Sequence, residues 1–521
     1  MLKTNLVMNH KPSSLSKNYI YNLIYQVLVV IIPIILIPYL SRVLEPSGTG
    51  LYAFNYTIVT YLSYFALLGV QLYGTKAIAT KKDDEKHLRK TFFEILTLKV
   101  ITSLISISLL FLIVLLIEVI RSMGGATFSL SPLLSPQILL IQGLFLLANL
   151  LDITFLYTGL ENFKGIVIRN SIIKIMTLGL IFVFVKEKSD LWIYALIING
   201  GEVISQSILW MDRKRIPLFK NLNEVKMDFK PTRHLKDMVI LFVPQVIILL
   251  YTSLNVTMIG LLSTDIEVGF FDMSSRIINT VLVIATALGT VMLPRISKYH
   301  HEGKHEEIKL ILDKSLKTTT YLAYPLMVGL LVLSTIFVPW FFGPLYVDAT
   351  NVLKFYAIKI GLVTLSNVIG IQYMISTNKY KPFIISVSIG AVITLLLNIF
   401  LIPVYGALGA VIASLIAEGF VTLYQIISTR KEIPFARYIL ETSKAFIAAI
   451  LMGVIIYLMD LGFYQDLVQL LSPRLSVDFY TLIILGIYGI LGVITYYLFN
   501  LIFKTNVQMD IMNRFIKIFK K

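Results

Sequence analysis

The chain has 521 residues, of which 57% are hydrophobic and only 15% charged. Soluble domains carry about 25% charged residues, and a mean hydropathy of +0.80 leaves too little polar surface for a water-soluble multidomain enzyme or a disordered chain. The net charge of +16 and the absence of cysteine exclude disulfides and thiolate sites, and point to basic loops on one side of a bilayer rather than to nucleic acid.

A bilayer-spanning helix needs about 20 mostly apolar residues. Fourteen such stretches occur, at roughly 18–41, 51–74, 92–118, 136–159, 165–185, 191–211, 238–262, 269–293, 318–342, 349–375, 381–402, 406–428, 440–460 and 479–503. The first 17 residues are polar, and the span after them is too long for a cleavable signal peptide. The spans are also too long, and too uniformly apolar, for barrel strands. Of the 46 basic residues, 36 fall on the side of the N-terminus when Arg169, Lys381 and Lys444, at the near ends of their spans, are counted with the adjoining segments; five fall on the opposite side and five deeper within spans. The positive-inside rule then puts both termini in the cytoplasm. The fold class expected is an all-α polytopic membrane protein.

The longest polar insertion, Asp212–Asp237, separates six spans from eight. Two hairpins share a pattern on either side of it: Glu45-Pro46-Ser47-Gly48-Thr49-Gly50-Leu51-Tyr52-Ala53-Phe54 and Thr264-Asp265-Ile266-Glu267-Val268-Gly269-Phe270-Phe271-Asp272-Met273. Each has a short turn, a glycine, two bulky residues and then a helix. A parallel repeat of two pseudo-symmetric six-helix lobes follows, with two further helices at the C-terminus. The divisions are 1–212 for the first lobe, 213–237 for a basic cytosolic loop, 238–430 for the second lobe, 431–503 for the last two helices and 504–521 for a tail. The tail has an apolar face (Val507, Ile511, Met512, Phe515) beside Arg514 and Lys517, as in helices that lie in the headgroup region.

Charges at bilayer depth are costly and usually face a cavity or a partner. Lys174, Arg276 and Lys359 are read as lining a cavity with a cationic bias, which suits a phosphate or diphosphate. Lys99 and Lys354, near span ends, are read as snorkelling or paired. Glu202 and Glu418 are open between cavity, ion coupling and pairing. Among the amides, Gln245 and Asn255 are candidates for sugar hydroxyls, though such groups also bond helix to helix. Pro33, Pro38 and Pro244 can kink the first helix of each half. His301-Glu302-Gly303-Lys304-His305 matches the zinc-protease pattern H-E-x-x-H. Gly303 weakens the helix that pattern needs, and the segment is a cytosolic connection, so no metal site is expected there. No Walker motif or serine elbow is present. The longest outer loops, about 119–135 and 461–478, hold only Arg121 and Arg474 and no histidine, which argues against a membrane glycan polymerase or ligase.

Several stretches resemble the bacterial Wzx-type polysaccharide flippases. They are Arg42–Pro46 through Gly50-Leu51-Tyr52, Leu68–Gly74, Tyr157–Lys164 with Arg169-Asn170 and Lys174, Phe242–Gln245 through Met258–Gly260, and Glu267–Phe270 through Arg276 to Leu293–Ser297. The resemblance implies the multidrug/oligosaccharidyl-lipid/polysaccharide exporter fold, working by alternating access in the bacterial plasma membrane. It implies a cargo of undecaprenyl-diphosphate-linked oligosaccharide. It also implies membrane lipids and a polysaccharide polymerase as partners, a monomeric state and no cofactor, with Na+ or H+ coupling left open. Arg276 occupies the place of a cavity arginine in lipid II flippases. The first helix lacks their arginines between Ile32 and Tyr39, which disfavours lipid II. Phe271 and Asn255 stand where Tyr and Asp are common in the Wzx type. The alternatives are a cation-coupled multidrug exporter, which the basic interior opposes, and a lipid II flippase.

Overall fold

The structure, a computed structural model, describes residues 15–123, 131–211, 229–472 and 475–519. Every regular element among them is helical. Eleven helical runs are long and apolar enough to cross a membrane. Two of these runs, Val27–Lys81 and Tyr380–Thr429, each hold two of the expected spans. The remaining span is a helix at Leu191–Met211 whose hydropathy is lowered by Asn199, Glu202 and Gln206. The fourteen expected spans are thus all helical, and the protein is an all-α polytopic membrane protein.

The chain divides into two compact units, Met1–Leu36 with Asn55–Val246, and Ile37–Phe54 with Ile247–Lys521. The basic connection 213–237 lies largely outside the described residues. Its end, Pro231–His234, is a short 3-10 turn.

The first unit takes in the flanks of α1 (Leu15–Leu67), then α2 (Val70–Lys81), α3 (Glu85–Ser122), α4 (Pro136–Gln142), α5 (Leu144–Leu151), α6 (Thr154–Gly159), α7 (Phe163–Phe184), α8 (Leu191–Met211) and the start of α9 (Leu235–Leu262). The expected fourth span is therefore three short helices. The break after α5 leaves C-terminal carbonyls without intrahelical donors. Trp210 Nε1 donates to the Leu151 carbonyl at 2.6 Å, and the fully buried Lys99 donates Nζ to the Asp152 carbonyl. Asp152 in turn accepts from the Thr154 backbone N–H at 2.7 Å, starting α6. Lys99 is thus a helix-break cap, buried rather than snorkelling and bound to a backbone carbonyl rather than paired with a glutamate.

One core cluster of this unit is Phe92, Ile95, Phe155, Leu156, Tyr157 and Ile78, and a second is Val59, Leu110, Leu139 and Leu146. Its glycines admit close approach. A Cβ on Gly74 would meet the Phe155 ring, and one on Gly159 would meet Ile78. Gly69, at φ +73°, ends the α1–α2 link in the left-handed region that favours glycine. Large apolar side chains along α3 (Leu104, Phe111, Leu115) are exposed, as expected of a lipid-facing helix.

The second unit contains the centre of α1, the rest of α9, α10 (Asp265–His301), α11 (His305–Phe342), α12 (Ala349–Tyr356), α13 (Ile358–Ser366), a π-helix (Asn367–Ile375), α14 (Tyr380–Thr429), α15 (Phe435–Leu471), α16 (Val477–Ile502) and α17 (Asn506–Phe519). The tenth span is broken like the fourth, this time into α12, α13 and a π-turn. α15 runs to Leu471, so most of the outer loop read at 461–478 is helix instead. Leu461, Phe463 and Leu470 continue an apolar face there and remain exposed. The tail is helical, and Tyr321 Oη donates to its buried Gln508 at 2.5 Å, fixing α17 to α11.

Two bends in this unit are built by named residues. α1 is two helical segments meeting at Glu45 (φ 59°, ψ 173°), just before Pro46. α14 is two segments meeting at Gly406 (φ 56°, ψ −133°), a conformation open essentially to glycine alone. The Glu267 carboxylate accepts from the Ala407 backbone N–H at 2.6 Å, capping the second segment where its dipole is positive. The two repeated hairpins also meet. A Cβ on Gly50 would collide with the Asp265 carbonyl, and one on Gly269 would collide with the Pro46 carbonyl and reach Thr49 Oγ1 at 2.9 Å. The glycines of the two motifs therefore let α1 and α10 touch backbone to backbone.

Candidate functional site

In the first unit, α7 and α8 carry a polar strip at membrane depth. Arg169 is buried. Its Nε and Nη2 donate to Asn170 Oδ1 at 3.0 and 2.6 Å, and its Nη1 donates to Gln206 Oε1 at 3.3 Å. Glu202 lies one turn from Gln206 on α8 and within Coulombic range of Lys174, Arg169 and Asp152. Lys174 and Glu202, both half-buried, are therefore brought together. Lys99, Arg169 and Lys174 are three cations against the carboxylates Glu202 and Asp152. Gln245 stands apart and donates to its own helix at the Leu241 carbonyl, 2.9 Å away, one residue after Pro244.

In the second unit, Lys359 belongs to a group drawn from α9, α12, α13 and α14. Its ammonium lies 3.3 Å from Tyr356 Oη, and 5.1 and 6.0 Å from the ring centroids of Tyr356 and Tyr251. Glu418 accepts from Tyr251 Oη and from Ser366 Oγ, the latter at 2.6 Å. The lysine thus sits among aromatic faces within Coulombic range of a buried carboxylate. Arg276 Nε pairs with Asp272 Oδ2 at 2.8 Å, one turn back on α10. Asn255 is enclosed in an amide clasp, donating to Ser414 Oγ at 2.8 Å and accepting from Asn398 Nδ2 at 2.9 Å. That clasp ties α9 to both segments of α14.

Sequence reasoning singled out Lys359, Arg276, Lys174 and Glu202, but not the groups that hold them. Asp272 could have been found from its four-residue spacing to Arg276. Tyr356, three residues before Lys359, and Asn170, next to Arg169, could have been found the same way. Tyr251 and Ser366 carried no local signal, because their partner Glu418 is distant in the chain. A second feature of this unit is an open apolar cavity of about 790 Å³ between α11, α13 and α15. Met327, Leu331, Leu362 and Val454 line it, with Lys354 and Asp460 as its charged members.

The H-E-x-x-H pattern straddles a helix break. His301 ends α10, Gly303 has φ +70°, and His305 opens α11. Lys304, 2.6 Å from Glu302, holds that carboxyl below the ordinary carboxylate range. The two histidines do not share a helix face. Replacing His301 by alanine is expected to leave transport and thermal stability at wild-type values. A loss restored by added zinc would overturn that expectation.

A profile of the family described as Polysaccharide biosynthesis protein matches residues 15–300. A putative O-antigen transporter of Escherichia coli K12 is 25% identical over 431 residues, covering 81% of this chain and 98% of its own. The lipid II flippase MurJ of Bacillus subtilis is 29% identical over 196 residues, 35% of either chain. Among solved structures, an inward closed conformation of lipid II flippase MurJ superposes with a TM-score of 0.66 at 18% identity, covering 94% of this chain and 99% of the other. An inward-facing multidrug resistance MATE transporter gives 0.55 at 13% identity, over 78% and 99%. The fold is thus that of the multidrug/oligosaccharidyl-lipid/polysaccharide exporter superfamily, and the protein is a multi-pass transporter of the flippase type in the bacterial inner membrane. Within that class, the chain belongs to the Polysaccharide biosynthesis protein family.

Proposed function

We propose that this protein flips undecaprenyl-diphosphate-linked oligosaccharide repeat units, of capsule, exopolysaccharide or teichoic-acid type, from the inner to the outer leaflet by alternating access. The observation that carries the reading is the α7–α8 strip, where Arg169 and Lys174 place cationic groups at membrane depth beside the carboxylate of Glu202. A diphosphate crossing the bilayer core must exchange its water for donors of this kind, and guanidinium and ammonium groups are suited to phosphate oxygens. Gln206 and Asn170, already hydrogen-bonded to Arg169, hold the guanidinium in a fixed orientation. The basic segments face the cytoplasm in this reading, which puts the loading side where repeat units are assembled. The protein acts as a monomer, hands its cargo to a polysaccharide polymerase, and draws on a Na+ or H+ gradient.

The test is headgroup translocation in proteoliposomes holding a fluorescent undecaprenyl-diphosphate oligosaccharide. The wild-type protein should raise the flipping rate well above protein-free vesicles. The double variant R169Q/K174Q should lower the protein-dependent rate by about tenfold or more, as expected when about 1.4 kcal/mol of phosphate stabilisation is lost. Vesicles with imposed Na+ or H+ gradients then identify the coupling ion. A wild-type rate no different from empty vesicles, with export of hydrophobic cations instead, would sink the proposal in favour of a drug exporter.

A further inference from the structure

A cavity of about 410 Å³ opens between α10 and α11. Met292, Tyr299 and Ile311 contribute its apolar lining, and Arg295, Lys298 and Lys314 its charges. No carboxylate is among these lining residues. Lys298 is 3.8 Å from Glu302, which is also 2.6 Å from Lys304. Among the described residues, neither Arg295 nor Lys314 has a carboxylate within ion-pair distance.

The depth of this cavity follows from helix length. α10 spans 37 residues and α11 38, so each is about 55 Å long at 1.5 Å per residue. The hydrocarbon core is about 30 Å thick, and about 40–45 Å with its headgroup regions. A helix with an ordinary tilt of about 20° uses roughly 21 residues to cross that core. Counted from Gly269, the core ends near residue 290, so Arg295 stands at headgroup depth. Lys314 lines the same cavity from the antiparallel helix. The site therefore has an apolar floor toward the core and cations at the level where lipid phosphates lie.

We propose that this cavity binds the phosphate of an anionic lipid headgroup, with Arg295 and Lys314 as the principal phosphate ligands. Lys298 adds charge at the rim, and the apolar floor takes the first carbons of the lipid. The site is distinct from the strip at membrane depth and does not depend on the cargo proposed above. A lipid held there bridges α10 and α11 close to their turn.

Native mass spectrometry of the full-length, delipidated protein tests this. Dioleoylphosphatidylglycerol is titrated in, with dioleoylphosphatidylcholine as the zwitterionic control and pyrophosphate as the water-soluble phosphate. Each cation near an anionic leaflet contributes about fivefold in affinity. The variant R295Q/K314Q should therefore weaken the tightest phosphatidylglycerol site by about thirtyfold. K186Q/K188Q, in the connection between α7 and α8, should leave that site unchanged. Both variants lie on exposed positions, and an unchanged thermal transition shows that each is folded. Equal phosphatidylglycerol affinity in the wild type and R295Q/K314Q would overturn the proposal. Binding of pyrophosphate that depends on Arg295 and Lys314, without selective lipid retention, would also overturn it and assign the site to a soluble anion. Undecaprenyl diphosphate displacing phosphatidylglycerol, in a parallel titration, would show that cargo and bulk lipid share the headgroup site.

Discussion

Replacing Glu94 by alanine is expected to destabilise the protein by about 3–5 kcal/mol, the range seen when one partner of a buried charged network is removed. Glu94 lies in α3 with 1% of its surface exposed. Its Oε1 accepts from the Lys230 backbone N–H at 2.8 Å and pairs with Arg233 at 3.3 Å. Its Oε2 lies 2.9 Å from His234 Nε2, and His234 Nδ1 lies 2.7 Å from Tyr73 Oη. A carboxylate can only accept, so Nε2 donates its proton to Glu94, while Nδ1 meets the Tyr73 hydroxyl. One carboxylate thus fastens the turn that opens α9 to α2 and α3, immediately after the basic connection. Alanine would take this acceptor from the Lys230 N–H and from the buried His234 imidazole. The thermal transition of the purified protein, followed by tryptophan fluorescence, should fall by roughly 8 °C or more. Glu94→Gln keeps an acceptor for the Lys230 N–H and should fall by less. A Glu94→Ala transition within a degree of wild type would show that the network contributes little.

A leucine at Gly269 is expected to have the second large effect, reducing flipping to below about a tenth of wild type. The Pro46 carbonyl occupies the space where even a Cβ would sit, and the Gly50 backbone faces the Asp265 carbonyl in the same way. Carbonyl groups of a helix are held by its own hydrogen-bond ladder and cannot rotate aside as a side chain can. The two helices must then separate, losing packing along the contact. Alanine should give an intermediate loss. Because the chain has no cysteine, a single pair introduced near positions 51 and 266 would report the separation by cross-linking without background. Wild-type flipping by Gly269→Leu would dismiss the glycine contact as incidental.

Much of the fold was legible because a span is written locally. About twenty consecutive apolar residues need no partner to be recognised, and the basic segments between them set an expected orientation. The breaks were not legible for the opposite reason. The cap on Asp152 comes from Lys99, 53 residues away, and the cap on the α14 bend comes from Glu267, 140 residues away. The candidate site divides along the same line. Arg276 and Asp272 share one helix turn and could be paired from spacing alone. Lys359 could be recognised as costly at its depth, yet nothing near it in sequence indicates Tyr251 or Glu418. The repeated glycines were visible as a pattern, but only their contact explains why each position needs a glycine.

The first turn of α10 carries two of these contacts at once. Asp265 and Gly269 meet the second segment of α1, while Glu267, between them, holds the bend of α14. Five residues therefore act as a shared knuckle. A shift of this turn cannot be felt by one neighbour alone: sliding it along α1 withdraws the carboxylate from Ala407, and straightening α14 pulls on the glycine seam. Mechanical coupling between those two helices needs no long pathway, because a single helical turn is in contact with both.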